Sequence, residues 1–341
     1  MFSSFTLTAL VGLALSTAHA APAGFPEPSP QVQEIYVFPV NTSVENLAVR
    51  SNGHVLASVD SAPELYQISP YAVDPKPALV HSFDGYGGLL GIVELAEDQF
   101  YVAAGNFSVF TLESVPGSWS IFHVDLSSFE AQPDGSIASP AAIEKVADIP
   151  EGELLNGLGV FSAEEGLVYV ADSGSGIIYL VDVASGDYWP AIQDPLSVKG
   201  EPIPDYPAAN GVHYDAESQS VYFTNVAQEL FARVPVAANG SQAGPAEVVA
   251  QGELYDDFLL DGAGSAIVAV FGSNDVIKVD LASGNSTVIA GSQNATELQA
   301  ATAVAKGRTP VDSNSLYVSR NGGIGQPTVV GGGIVKINRA F

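Results

Sequence analysis

The chain has 341 residues, of which 47% are apolar and 14% charged: ample material for a large core and no long charged tail. A formal net charge of −27 sets it against nucleic acid and anionic membrane, whose phosphates it would repel. It contains no cysteine, which excludes disulfides, thiolate metal sites and a cysteine nucleophile.

Residues 1–20 read as a signal peptide, with an apolar run from Leu7 to Leu15 and a small-residue cleavage site at Ala18-His19-Ala20, although no Lys or Arg precedes the run. That run is short for a membrane span, and no later stretch is long enough, so no membrane anchor is expected. Asn-x-Ser/Thr sequons at Asn41, Asn106, Asn239, Asn285 and Asn294 suit a secreted protein or one resident in the secretory lumen. Residues 21–341 are expected to form one domain.

After the leader, Glu34-Ile35-Tyr36-Val37-Phe38-Pro39-Val40 reads as a lone strand. Six segments follow with one shared pattern: an apolar strand, a polar turn, an aromatic-rich strand, a small-residue loop and a third alternating strand. The clearest is GLGVFSAEEGLVYVADSGSGIIYLVDV from Gly157. The residues that open the first strands are Glu45, Gly91, Asn156, Asn210, Asp257 and Thr302, 45 to 65 residues apart, about one four-stranded propeller blade each. Fourth strands are visible as PALVHSF, AAIEKVADI, DYWPAI, AEVVAQ and STVIAG; the sixth repeat lacks one, and the lone N-terminal strand is available to complete it. The pattern predicts an all-β, six-bladed β-propeller, with a β-sandwich or seven blades as alternatives. A closed ring of blades leaves only short, protected edges.

In a propeller the first strand of each blade lines the central channel. Two long insertions, 106–117 and 194–209, then fall on the face from which those strands start, the usual place for binding loops. Phe107, Phe110, Trp119, Tyr206 and Tyr255 give that face an aromatic character that fits a partly hydrophobic small molecule, with ordinary blade packing as the competing explanation. The strand-opening residues Glu45, Asn156, Asn210 and Asp257 offer two carboxylates and two amide carbonyls at one channel mouth. Such a set suits a hard divalent cation, Ca²⁺ or Mg²⁺, with Zn²⁺ or Mn²⁺ also open. Taken singly, Asn156-Gly157 and Asn210-Gly211 could be plain turns.

Arg320 is the best cationic hydrogen-bond donor near that mouth. His213, three residues after Asn210, is the nearest histidine and a substrate-binding candidate, although strand alternation turns it away from Asn210. There is no Rossmann or Walker loop, no G-x-S-x-G elbow and no H-E-x-x-H spacing, so no nucleotide or redox cofactor is expected.

These anchors resemble, in type, order and spacing, the metal ligands of gluconolactonases and senescence-marker proteins. The strings VENLAVRSNG, GIVELAEDQFYVAAGNF, PGSWSIFHVDL, LLNGLGV, ANGVHY and DDFLLD are similar to a fungal secretory branch of that superfamily, which includes hetero-Diels-Alderases of meroterpenoid biosynthesis. The resemblance implies a divalent-metal site at Glu45, Asn156, Asn210 and Asp257, with Asp257 both ligand and base. It implies one of two activities. One is a cyclase that joins a polyketide- or tropolone-derived quinone methide to a terpene alkene; the other is a metal-dependent lactonohydrolase.

Overall fold

A computed structural model describes residues 30–338, so the expected leader lies outside the described residues. Apolar residues with period-two alternation, punctuated by polar turns, form strands; there is no helix among the described residues, and hence none long and apolar enough to cross a membrane. Six four-stranded antiparallel sheets are arranged as the blades of a β-propeller. The innermost strands are Val44–Val49, Gly88–Ala96, Leu155–Ser162, Ala209–Asp215, Tyr255–Leu260 and Ala301–Lys306, and each lies beside the next around a closed circle. The strand Gln31–Val37 runs antiparallel to Gly333–Asn338 at the outer edge of the sixth sheet.

The core is divided in the same way. Each of six clusters of buried apolar side chains sits between two neighbouring blades: Tyr169, Leu180 and Phe223 lie between blades three and four, and Phe231, Tyr255 and Phe258 between four and five. Burying a large side chain of this kind contributes roughly 1.5–3 kcal/mol, so stability is spread around the ring. Asn156-Gly157 and Asn210-Gly211 are not turns. Gly157 and Gly211 lie within innermost strands, where an added Cβ would come within 2.4 Å of the Asn210 carbonyl oxygen and of Asp257 Oδ1 respectively. Only glycine allows adjacent innermost strands to approach so closely.

One irregularity recurs at the start of the innermost strands. Val44 pairs with Val59, but the next pair is Asn46 with Ser58. Leu155 and Asp172 are likewise followed by Leu158 and Val170, Ala209 and Asn225 by Val212 and Phe223, and Tyr255 and Val270 by Phe258 and Val268. A bulge of this kind re-aims the side chains at the break.

Candidate functional site

The residues directly after the four opening pairs are Glu45, Asn156, Asn210 and Asp256. All four line a cavity of about 300 Å³ at one mouth of the channel. Blade two contributes Leu90 to the same cavity. A second ring of residues, each just past the end of a blade's second strand, completes the floor and lower wall: Asp60, Val226, Phe271 and Asn321. Above them stands an apolar wall. The small hairpin Phe107–Ser108 with Glu113–Ser114 presents Phe107, Val109, Phe110 and Leu112, faced by Ile324 from the sixth blade and Tyr206 from the 194–209 insertion.

The floor is acidic and enclosed. Burial, then the neighbouring carboxylates of Asp256 and Asp60, pushes Glu45 well above the usual carboxylate range, while the Asn156 amide partly offsets this. Burial and the adjacent Asp257 do the same to Asp256, with Asn210 acting in the opposite sense. Burial raises Asp60 to about 6, against hydrogen bonds from Ser43 and backbone amides. No lysine, arginine or histidine is among the lining residues to balance this charge. Five buried side-chain polar atoms have no hydrogen-bond partner among the described residues, and three of them, Asp60 Oδ1, Asn156 Oδ1 and Asn210 Oδ1, belong to this floor. Each such atom costs about 1–3 kcal/mol unless something satisfies it.

An oxygen-only set with orphaned buried acceptors fits a hard divalent cation such as Ca²⁺ or Mg²⁺. No three His, Cys, Asp or Glu side chains among the described residues converge as a ligand group on their own. The fit therefore depends on the two amide oxygens as well as the carboxylates.

The expected site residues divide between this cavity and other places. Glu45, Asn156, Asn210, Phe107, Phe110 and Tyr206 are brought together. Asp257 is not. The bulge at Asp256 sends Asp257 to the opposite half of the channel, where a second cavity of about 360 Å³ is lined by Asp257, His213 and Asn46. His213 is also removed from the upper mouth, but not by simple alternation: the bulge between Ala209 and Val212 breaks the alternation from Asn210, and His213 enters the lower half of the channel beside Asp257.

Arg320 is also misplaced as a donor to substrate. It is 1% exposed, donates to the carbonyls of Thr296 and Glu297, and pairs with Glu34 at 2.6 Å, tying the outer strand of blade six to a loop. Trp119 is fully buried against Gly105, and its indole N–H donates to the Glu153 carbonyl at 3.0 Å. Tyr255 packs in the core between blades four and five. All five sequon asparagines are exposed, and Asn106 sits at the foot of the apolar hairpin.

Asp60 and Asp256 are the acids that strand periodicity does not reveal. Asp60 occupies the same repeat position as Ser173, Val226, Phe271 and Asn321, residues too unlike one another to stand out. Its neighbour in the repeat, Asp172, looks similar in sequence but is spent on the backbone amides of Glu153, Leu154 and Gly174.

Fold and site together define a six-bladed β-propeller with an oxygen-lined, apolar-walled cavity at one channel mouth. In sequence the chain is 25% identical to a Phoma sp. protein named as a candidate hetero-Diels-Alderase, over 84% of this chain and 86% of that one. It is 24% identical to a second such protein, from Sarocladium schorii, over 86% of this chain and 79% of that one. In fold it is similar to the calcium-binding protein regucalcin of Agrobacterium tumefaciens, with a TM-score of 0.60, 16% identity, and coverage of 91% of this chain and 93% of the other. No family model matches the chain.

Proposed function

We propose that the chain is a cyclase of the hetero-Diels-Alderase type, joining a reactive quinone methide to a terpene alkene in meroterpenoid biosynthesis. The observation that carries this reading is the pairing of an apolar wall, Phe107, Val109, Phe110, Leu112 and Ile324, with a polar floor in one cavity, a lining suited to holding two largely apolar reactants around one oxygen. In the [4+2] addition one C–C and one C–O bond form and nothing leaves, so neither nucleophile nor redox cofactor is needed. The named relatives support the reading over most of the chain.

Phe107, Phe110, Leu112 and Ile324 offer an apolar surface against which the alkene partner is held over the heterodiene. Holding two reactants in near-attack geometry removes much of the entropic barrier. The floor receives the oxygen of the heterodiene. A divalent cation held by Glu45, Asn156, Asn210 and Asp256 would supply Lewis-acid withdrawal of electron density at that oxygen. The predicted leader and the exposed sequons support a place for the protein in the secretory lumen or outside the cell; a mobility shift on enzymatic deglycosylation would test it.

A second reading, a metal-dependent lactonohydrolase, draws on the oxygen-rich floor alone, where a carboxylate could take a proton from an attacking water. The two are separated by incubating the purified protein with simple lactones, and with a quinone-methide precursor plus a humulene-type terpene, with and without chelator. An enantioenriched adduct above the uncatalysed background establishes the cyclase. A chelator-sensitive gain of one water on a lactone overturns it in favour of the hydrolase.

A further inference from the structure

Beneath the cavity floor lies a set of side chains that the reaction does not use. Asn46 follows Glu45, and Asp257 follows Asp256; each points into the lower half of the channel. Asn46 Nδ2 donates to Asp257 Oδ2 at 2.7 Å, joining blade one to blade five across the channel. Asn46 Oδ1 accepts the Leu47 amide at 2.8 Å, so the orientation of its side chain is set by its own backbone. Asp257 Oδ1 accepts the Phe258 amide at 2.7 Å and lies 3.0 Å from His213 Nε2, which comes from blade four. The His213 ring stands edge-on to Phe258, with centroids 4.7 Å apart. Asn46 and Asp257 are each 5% exposed.

We infer that Asn46, Asp257 and His213 form a clamp that fixes the spacing of Glu45, Asp256 and Asn210, and thereby sets the cation affinity of the cavity floor. The three clamp residues stand one, one and three positions from those three floor residues. Blade six intervenes between blades one and five, so no sheet hydrogen bonds hold their innermost strands at a set distance. Blade six sets that distance only through its packing on either side, whereas the Asn46–Asp257 hydrogen bond joins the two strands directly, and a buried hydrogen bond to a carboxylate is a strong, directional one. Cation ligands must sit within a few tenths of an ångström of about 2.3–2.6 Å from the ion, so a small drift between blades removes a ligand. The three act as positioning residues, without touching the ion or the substrate. The inference rests on the cation reading of the floor.

The test is terbium luminescence titration of the full chain, with calcium as competitor, alongside circular dichroism to verify the fold. The parent is expected to show one tight, calcium-displaceable site that Glu45→Gln removes, which assigns it to the floor. Asn46→Ala should weaken that site tenfold or more while the spectrum is unchanged. His213→Ala should weaken it severalfold, and His213→Gln, which restores a donor to Asp257, should recover affinity to within about twofold of the parent. Because the His213 side chain is 29% exposed, its variants are expected to fold even where Asn46→Ala does not. Folded Asn46→Ala or His213→Ala protein with parental affinity overturns the clamp while leaving the cation reading intact. A parent with no tight site, or with one that survives Glu45→Gln, overturns both.

Discussion

Replacing Asp60 with asparagine should stabilise the cation-free protein, against the usual expectation for a change at a buried polar residue. Burial raises the Asp60 carboxyl from 3.8 to about 6. Because the folded state binds this proton more tightly than the unfolded chain, the contribution of this carboxyl to stability is most favourable below pH 4. It falls as pH rises from about 4 to about 6, and the full penalty remains above that range. At 1.36 kcal/mol per unit the penalty at neutral pH is about 3 kcal/mol. The asparagine keeps the shape and removes the charge, and its amide N–H can face Glu45 and Asp256 from the place of the unpartnered Oδ1. For a chain of this size about 3 kcal/mol corresponds to a rise of roughly 5 °C in the unfolding midpoint. Thermal unfolding in chelator at pH 7.5 and pH 4.5 reads the effect, and at pH 4.5 the gain should shrink to about a third because Asp60 is then largely protonated in the folded state. A gain of equal size at both pH values, or a loss at pH 7.5, would refute the burial argument. Calcium should stabilise the parent more than the variant.

Phe110 is 56% exposed at the cavity rim, so Phe110→Ala should leave the unfolding midpoint within about 1 °C while raising KM severalfold for an apolar substrate in the product assay. Trp119→Ala should do the reverse, costing about 3–5 kcal/mol in thermal or denaturant unfolding with KM unchanged in the folded fraction, because the indole fills the core and does not touch the cavity. Arg320→Met should destabilise by about 2 kcal/mol or more, since it leaves Glu34 and two loop carbonyls without their partner. Product formation by the folded Arg320 variant should match the parent.

The propeller was legible in the sequence because strand alternation and turn residues repeat six times, and repetition averages away local ambiguity. The site was legible only to within one residue. Glu45, Asn156 and Asn210 were found as strand openers, but in blade five two consecutive acids compete for that role. Deciding between them requires the bulge, which belongs to strand pairing and leaves no local mark. The sequence pattern points to Asp257, whereas Asp256 faces the cavity. Trp119 and Tyr255 misled for a different reason: an aromatic near an insertion has the same composition whether it faces solvent or core. Arg320 failed because a buried guanidinium that caps carbonyls looks, in sequence, like one that awaits a ligand. Aligning the residues just past the second strands brings Asp60, Ser173, Val226, Phe271 and Asn321 to one position, but their side chains share no chemistry that would single Asp60 out.

The bulge at the start of the innermost strands has a consequence for how such a channel can change over time. It places two successive residues on opposite sides of one seam, so that the upper residue is free of the duties of the lower. The upper register reads Glu45, Leu90, Asn156, Asn210, Asp256 and Thr302 around the ring, a mixture of acid, amide, alkyl and hydroxyl groups. Thr302, at the corresponding step of blade six, uses its hydroxyl on the Val44 carbonyl and Ser319. Thr302 therefore belongs to the frame, while the other five form an inlay set in it: substitutions there rewrite what the mouth recognises.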